Sequence, residues 1–318
     1  MLKPFFGPSE RLRLDSAWKF KAIFLLAAIF LCLQLAQAKD INEALQNGVM
    51  MIRTLEDHSG PAYLLYVPSK GGENAPVFVT VHGISRDAIE QAYMYAGLAE
   101  HYGVVMIAPY FSEPPFSDYQ FMGRNGHGQR ADLTLDKIVD EVGRLTHART
   151  DKLYLFGYSG GGQFVHRYTL AHPEKVARVA IGSAGWYTFP DPTLRYPYGL
   201  KVSRKDLSGV IFDPQQFLKI PTRVFVGAED VKQDPALNKS LRITRQQGET
   251  RVERAQQWVA AMKKAADSLG IQTPYSVEFL PDSGHSFAQS MQAGGMGQKV
   301  FSFLFEPLAK TPTGQASP

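Results

Sequence analysis

The sequence predicts a single α/β domain with a mostly parallel central sheet flanked by helices. Short apolar segments rich in β-branched and aromatic residues alternate with longer segments of helical character, as in repeated βα units. The middle apolar segments are hydrophobic at nearly every position, which is typical of strands buried on both faces of a parallel sheet. No internal repeat or linker interrupts the alternation, so residues 39–307 are expected to form one domain.

Seven apolar segments are predicted strands, and four segments between them are predicted helices. The strands are expected at residues 62–67, 77–81, 104–108, 153–156, 176–181, 222–226 and 275–279. The helices are expected at residues 87–101, 131–146, 163–172 and 251–269. Residues 42–66, at the start of the domain, indicate an amphipathic helix and an edge strand with no assigned chemistry.

Residues 182–219 form an insertion that breaks this alternation. The segment has no clear period but is rich in aromatic residues, and a stretch of this length is usually functional or disordered. The aromatic content argues against disorder. Trp186 and Tyr187 are therefore candidates for the wall of an acyl or alcohol pocket, and ordinary packing of the insertion on the core is the alternative.

The N-terminal segment predicts export. Basic residues precede an apolar run at 22–33 that is too short for a comfortable membrane span, which needs about 20 residues. Ala36-Gln37-Ala38 follows as a cleavage site, so residues 1–38 are interpreted as a signal peptide and the protein as periplasmic or extracellular. An uncleaved membrane anchor is the alternative. The polar tail, residues 308–318, is expected to be disordered.

Charge and cysteine content exclude several classes of partner. The signal segment contains five Lys/Arg and two Asp/Glu, so its removal lowers the net charge from +4 to +1 and leaves no basic stripe for nucleic acid. It also contains Cys32, the one cysteine, so the mature chain has no disulfide and no thiol nucleophile. No Cys/His cluster suggests a metal, and no cofactor is expected. No stable membrane partner is expected after cleavage.

The segment "YLFGYSGGGQF", residues 154–164, predicts a nucleophilic serine. A strand is followed by Gly157-Tyr158-Ser159-Gly160-Gly161 and then by a helix, which is the context of a G-x-S-x-G nucleophile elbow. In such an elbow the serine has a positive φ and its side chain projects above the sheet edge. A plain strand-to-helix turn is the alternative. A phosphate loop is excluded because no Lys-Ser or Lys-Thr follows the glycines.

A serine nucleophile needs a base and a group that orients the base. His285 lies in a loop after the last predicted strand, and Asp230 follows the strand before it. Both positions fall at the carboxyl ends of strands, where the sites of parallel sheets form. Glu229 and Asp234 compete with Asp230 for the acid role. His127, His166 and His172 compete with His285.

Backbone N–H groups near the serine are candidates for an oxyanion hole. The predicted strand 77–81 ends in His82-Gly83-Ile84-Ser85, whose N–H groups would act with that of Gly160. Ile84 is the expected second donor, with Gly83 as the alternative, and His82 is expected to order the loop. Substrate contacts are expected from Tyr158, and from Arg124 and His127 in a glycine-rich loop, where solvated or structural roles are the alternative.

Four motifs in this order resemble the α/β-hydrolase superfamily: "VTVHGIS", "LFGYSGGGQF", "FVGAEDV" and "SGHSF". The resemblance covers nearly all of the mature chain and is greatest to secreted bacterial serine esterases of the poly(3-hydroxybutyrate) depolymerase and feruloyl-esterase type. It implies a nucleophile, acid and base in the order Ser159, Asp230 and His285. The chain has no room for an added polymer-binding domain and no disulfides, and both departures favour a small soluble ester.

The sequence therefore predicts a serine hydrolase that cleaves a small-molecule or oligomeric carboxylic ester through an acyl-enzyme. Three alternatives stay open. A peptidase or amidase would use the same three residues, and an acyltransferase would differ in its acceptor. A non-catalytic binding protein on the same fold would normally have lost one of the three residues, and this chain retains all of them.

Overall fold

The computed structural model describes residues 45–57 and 60–308. These residues form an eight-stranded sheet in the order β1-β2-β4-β3-β5-β6-β7-β8, flanked by helices. The strands are β1 (Met50–Arg53), β2 (Tyr63–Tyr66), β3 (Pro76–Val81), β4 (Val105–Pro109), β5 (Arg149–Tyr158), β6 (Val176–Gly182), β7 (Thr222–Gly227) and β8 (Tyr275–Leu280). The β1–β2 and β2–β4 pairs are antiparallel, and all other pairs are parallel. The predicted α/β fold with a mostly parallel sheet is confirmed.

Eight helices occur in the described residues, apart from short 3₁₀ turns. They are α1 (Ala88–Tyr102), α2 (Ala131–Thr146), α3 (Gly160–Ala171), α4 (Pro214–Phe217), α5 (Leu241–Gln247), α6 (Arg251–Ser268), α7 (Phe287–Gln292) and α8 (Met296–Phe305). The four predicted helices match α1, α2, α3 and α6. Helix α3 begins three residues earlier than predicted because the turn at Ser159 leads directly into it.

Alternating side chains of the central strands separate two layers of core. Phe78 in β3 points toward α1 and α8, where its ring contacts those of Tyr95 and Phe301. Its neighbours Val77 and Val79 belong to the core cluster on the other face, which includes apolar residues of α2, α3 and α6. Burial on both faces explains why these strands are apolar at almost every position.

Two predictions concern the start of the domain. The strand predicted at the end of residues 42–66 is present as β2, but it is not at the edge of the sheet, because β1 pairs along its outer side. The amphipathic helix is wrong for the described part of that segment, because residues 45–49 form a turn that leads into β1. The first residues of the segment, 42–44, lie outside the described residues.

Both ends of the chain carry predictions that the described residues do not include. The signal segment, residues 1–38, and residues 309–318 of the tail lie outside them. Across residues 45–57 and 60–308, no helix is long and apolar enough to cross a membrane.

The insertion is packed against the core. Tyr187 is fully buried, and its ring stacks on that of Trp258 in α6 with centroids 4.9 Å apart. Trp258 Nε1 donates a hydrogen bond to the Thr188 carbonyl over 2.8 Å. Helix α4 is the one helix within the described insertion. Tyr187 and the Thr188 carbonyl therefore anchor this segment to α6.

Candidate active site

The turn after β5 holds Ser159 in a strained conformation. Its φ of 54° and ψ of −110° lie outside the regions that side-chain-bearing residues usually adopt. Two glycines allow the close packing of this turn. A Cβ on Gly161 would overlap the Val81 carbonyl of β3, and a Cβ on Gly157 would overlap the Gly161 carbonyl. The local sequence thus produces the sharp strand-to-helix turn that the elbow motif predicts.

Ser159, His285 and Asp230 form a continuous chain of hydrogen bonds. His285 Nε2 lies 3.1 Å from Ser159 Oγ, and His285 Nδ1 lies 2.8 Å from Asp230 Oδ2. Asp230 is 1% exposed, so its carboxylate is held in a fixed environment. A proton on Nδ1 that is donated to this carboxylate leaves Nε2 free to accept the serine proton. The three residues come from the loops after β5, β7 and β8.

The two alternative acids do not contact His285. Glu229 is exposed, although it is adjacent to Asp230. Asp234 Oδ2 accepts a hydrogen bond from Arg251 Nη1 over 2.5 Å. Burial opposes ionisation of Asp234, but the hydrogen bond and charge of Arg251 outweigh it and lower the pKa of this carboxyl group.

Arg251 is a component of the site that the sequence did not reveal. This residue is 1% exposed, and its Nη1 also donates to Asp230 Oδ1 over 3.2 Å. It begins α6 and lies 21 positions after Asp230. No motif marks it, because an arginine at the first position of a helix is usually solvated.

The competing histidines have other contacts. Buried His166 is bonded through Nδ1 to the Gly162 carbonyl and through Nε2 to the Thr188 N–H, and burial lowers its pKa. His172 Nε2 lies 2.9 Å from Asp132 Oδ2. His127 is exposed. These contacts are structural, and none involves Ser159.

The two N–H groups expected to form an oxyanion hole lie close together. A Cβ on Gly160 would be 3.2 Å from the Ile84 nitrogen. Neither of these two N–H groups donates a hydrogen bond to another described residue, so both are available to a ligand. Gly83, the alternative donor, is also adjacent, since its own Cβ would be 3.5 Å from that of Ser159. The roles of Ile84 and Gly83 as alternative second donors to an oxyanion stay predictions.

His82 fixes the loop that carries Ile84. Its Nδ1 bonds the Gly83 carbonyl over 2.8 Å, and its Nε2 accepts from the Phe111 N–H over 3.0 Å. The His82 carbonyl accepts from the hydroxyl of Tyr119 over 2.9 Å. Complete burial lowers the pKa of His82 to about 4, so the ring is neutral at pH 7. Tyr119 was not identified from the sequence.

A cleft of about 240 Å³ lies over Ser159. It is lined by Gly83, Ile84, Ser85, Asp87, Glu90, Gln91, Tyr158, Ser159, Ala236, His285 and Phe287. The ring of Tyr158 stacks on the imidazole of His285, with centroids 5.5 Å apart. Asp87, Glu90 and Gln91 were missed by the sequence analysis, because they belong to the beginning of a helix that shows no catalytic motif.

Four predicted substrate contacts do not line this cleft. Trp186 packs on Phe121 and Tyr198, and Tyr187 stacks in the core. The Arg124 guanidinium lies over the Phe121 ring and 3.4 Å from a carboxylate oxygen of Asp118. His127 lies in an exposed part of the same loop. The side chains of these four residues pack the insertion or face solvent away from this cleft, and their role as substrate contacts stays a prediction.

No group of His, Cys, Asp and Glu in the described part of the chain is arranged to hold a metal ion.

Three solved structures are similar to this chain over most of its length. A poly(aspartic acid) hydrolase from Sphingomonas sp. KT-1 is 23% identical with a TM-score of 0.67, covering 82% of this chain and 100% of that one. The poly(3-hydroxybutyrate) depolymerase LpqC from Bordetella parapertussis is 23% identical with a TM-score of 0.65, and the match covers 84% of this chain and 93% of that one. An S-formylglutathione hydrolase from Agrobacterium tumefaciens is 15% identical with a TM-score of 0.55, and the match covers 84% of this chain and 100% of that one.

The sequence matches no protein-family model and no curated protein. The similarity to solved structures nevertheless defines the architecture: this chain has the α/β-hydrolase fold. The predicted resemblance to hydrolases of the poly(3-hydroxybutyrate) depolymerase type is confirmed at the level of that fold.

Proposed function

We propose that the protein is a serine hydrolase that cleaves carboxylic esters through Ser159, His285 and Asp230. The observation that carries this proposal is the chain of hydrogen bonds from Ser159 Oγ through His285 to buried Asp230, at a strained turn that opens onto a cleft. An ordinary turn does not need a positive φ at a serine, and this strain is typical of functional positions.

The reaction begins when Ser159 Oγ attacks the ester carbonyl and His285 Nε2 takes the hydroxyl proton. Asp230 holds the imidazole in the required tautomer and stabilises the imidazolium. The N–H groups of Gly160 and Ile84, or Gly83, donate to the oxyanion of the tetrahedral intermediate. His285 then protonates the leaving alcohol as the C–O bond breaks. Water, deprotonated by His285, hydrolyses the acyl-enzyme through the same steps and restores Ser159.

The size and charge of the cleft support a small, soluble ester. A volume of about 240 Å³ is near the lower limit of ligand pockets. The Sphingomonas relative is named for a polyanionic substrate. Among the residues that line the cleft here, Asp87 and Glu90 carry negative charge and no Lys or Arg is present. A polyanion is therefore a poor substrate for this site.

Export to the periplasm or beyond the cell belongs to the same proposal. It is supported by the basic segment, apolar run and Ala36-Gln37-Ala38 of the N-terminal sequence. A membrane anchor that is not cleaved stays the alternative. Mass spectrometry of the N-terminus of the exported protein distinguishes them, since cleavage after Ala38 gives a chain that begins at Lys39.

The test of the reaction is labelling by a fluorescent fluorophosphonate, alongside turnover of p-nitrophenyl esters of increasing acyl length. We expect labelling and hydrolysis of short esters by the native protein. Both are expected to be lost in the Ser159→Ala variant, with kcat lowered by about 10³-fold or more. A folded native protein that neither reacts with the probe nor hydrolyses esters would contradict the proposal and favour a binding protein.

A further inference from the structure

The beginning of α1 forms one wall of the cleft over Ser159. Asp87, Glu90 and Gln91 all line this cleft. Asp87 caps the helix, since its Oδ1 accepts a hydrogen bond from the Glu90 N–H over 2.8 Å. The cleft therefore combines a nucleophile with two carboxylates and an amide, and only the nucleophile has a role so far.

Gln91 has an unused hydrogen-bond donor in this wall. The residue is 2% exposed, and its Oε1 accepts a hydrogen bond from buried Thr80 Oγ1 over 2.8 Å. The Nε2 group has no hydrogen-bond partner among the described residues. Because Gln91 lines the cleft, this donor is available to an acceptor atom of a ligand.

The negative charge of the wall is not neutralised by a neighbouring cation. Asp87 and Glu90 form no ion pair with a described residue. Arg86, the basic residue next to Asp87, instead donates to Glu113 Oε1 over 2.7 Å and to the Phe111 carbonyl. Burial, together with the charge of Asp87, raises the pKa of Glu90, as expected for a carboxyl group without a cationic partner.

Such a charge is unfavourable for the proposed reaction unless the substrate compensates it. The tetrahedral intermediate develops negative charge at the oxyanion, in the same cleft as Asp87 and Glu90. Like charges in a partly desolvated site raise the energy of that intermediate. A cationic group on the substrate would reverse the sign of this contribution and would stabilise both the complex and the transition state.

We propose that the wall formed by Asp87, Glu90 and Gln91 selects esters that carry a cationic ammonium group. The ammonium group lies against the two carboxylates, and a carbonyl, ether or hydroxyl oxygen of the substrate accepts the hydrogen bond of Gln91 Nε2. The inference rests on the proposed ester hydrolysis and names its substrate class. A neutral, hydroxyl-rich ester would use the same hydrogen bonds without the charge, so charge is the property to test.

The experiment compares esters that differ only in charge. Choline butyrate is paired with its carbon analogue, in which tert-butyl replaces trimethylammonium. On the acyl side, p-nitrophenyl esters of a trimethylammonio acid, the matching tert-butyl acid and a dicarboxylic acid are compared. We expect the native protein to prefer the cationic member of at least one pair by about three- to tenfold in kcat/KM. The anionic ester is expected to be the poorest substrate.

Variants of the three wall residues test whether the wall causes the preference for cationic esters. Glu90→Gln and Asp87→Asn keep the shapes of the side chains, and asparagine still caps a helix. We expect each to bring the ratio of cationic to neutral kcat/KM toward one. Gln91→Leu is expected to lower kcat/KM for both members and to leave their ratio unchanged. Asp140→Asn, which removes an exposed carboxylate at a separate pocket on α2, is the control and leaves the ratio unchanged.

The outcomes separate this inference from the proposed function. Equal turnover of charged and neutral esters would overturn the inference and leave the ester hydrolase intact. A preference that persists in both Glu90→Gln and Asp87→Asn would also overturn it, as would faster turnover of the anionic ester. A protein that hydrolyses none of these esters and does not react with the fluorophosphonate would contradict the proposed function itself.

Discussion

Arg251 is a buried cation between two carboxylates, and its environment has consequences for the proposed base. Its Nη1 contacts Asp230 on one side and Asp234 on the other. The hydrogen bond from this buried guanidinium restricts the orientation of the Asp230 carboxylate, which in turn bonds His285 Nδ1. Arg251 is therefore expected to position Asp230, and Asp234 to position Arg251.

Loss of the Arg251 contact is expected to lower kcat with little change in KM. Arg251→Gln removes a charge-assisted hydrogen bond to Asp230, so kcat for a neutral ester is expected to fall about tenfold. Asp234→Asn keeps the bond between Arg251 and Asp230 and is expected to have a smaller effect. The measurement is kcat and KM for a neutral ester in both variants.

A purely structural role would give a different result. Damage to folding would lower Tm and the fraction of the protein that a fluorophosphonate labels. A folded Arg251→Gln variant that keeps the native kcat would contradict the positioning role.

The elbow between β5 and α3 is the element whose geometry depends most strictly on the absence of side chains. Gly161 lies directly against the Val81 carbonyl of β3, so any Cβ there forces the helix away from the sheet. Helix α1 contains a glycine at which a side chain can be added without a clash. Gly97 is exposed in the middle of that helix, and a Cβ added to it would meet no atom within 4 Å.

Alanine at these two glycines is expected to change stability in opposite directions. Gly97→Ala should raise the free energy of unfolding by about 0.5–1 kcal/mol, because alanine loses less conformational entropy in a helix. Gly161→Ala should lower it by about 1–3 kcal/mol and abolish ester hydrolysis, because the turn must shift. Urea unfolding followed by circular dichroism measures both. A destabilising Gly97→Ala would indicate that α1 is not an ordinary exposed helix at that point.

The whole molecule is expected to lose stability on mild acidification, because it buries neutral histidines. The pKa of His82 falls to about 4 through burial, and burial also lowers that of His166. The unfolded chain takes up these protons near pH 6.5, before the folded protein does. The free energy of unfolding therefore decreases as the pH falls from 6.5 to 4, and His82 alone contributes at most about 3 kcal/mol.

Asp118 opposes this trend and provides the control. Burial raises its pKa to about 6, so below that pH the folded state holds a proton that the unfolded chain releases. Its contribution to stability grows as the pH falls from 6 to 4 and offsets part of the loss. We expect Tm to fall between pH 7 and pH 5, and to fall further in Asp118→Asn. A Tm that rises over this interval would contradict the account of the two histidines.

The features that could be predicted from the sequence are those that depend on a short stretch of chain. Seven of the eight strands and the four longest helices of the described residues follow from periodicity within single segments, and the elbow follows from five consecutive residues. Ser159, Asp230 and His285 could be named because each lies just after a strand. The parallel arrangement of those strands brings such positions to one edge of the sheet.

The surroundings of the insertion and of the cleft wall could not be predicted from composition. Trp186 and Tyr187 are aromatic residues in an irregular segment, and composition does not reveal whether such side chains face a ligand or a core. Gln91 and Glu90 are ordinary helix residues until α1 is placed beside the elbow. Arg251 is separated from its two partners by a loop and a helix, and its burial has no local signal.

The sequence by itself determined the class of fold, the strained turn at Ser159 and the order of the three residues of the proposed reaction, because hydrophobic period and turn chemistry act over a few neighbouring positions. Only the tertiary structure decided that Asp230 rather than Glu229 contacts His285, that Arg251 pairs with Asp230, and that the beginning of α1 lines the cleft with carboxylates. Those contacts depend on the order of strands in the sheet and on which face each helix covers. Both are settled by packing of the whole chain.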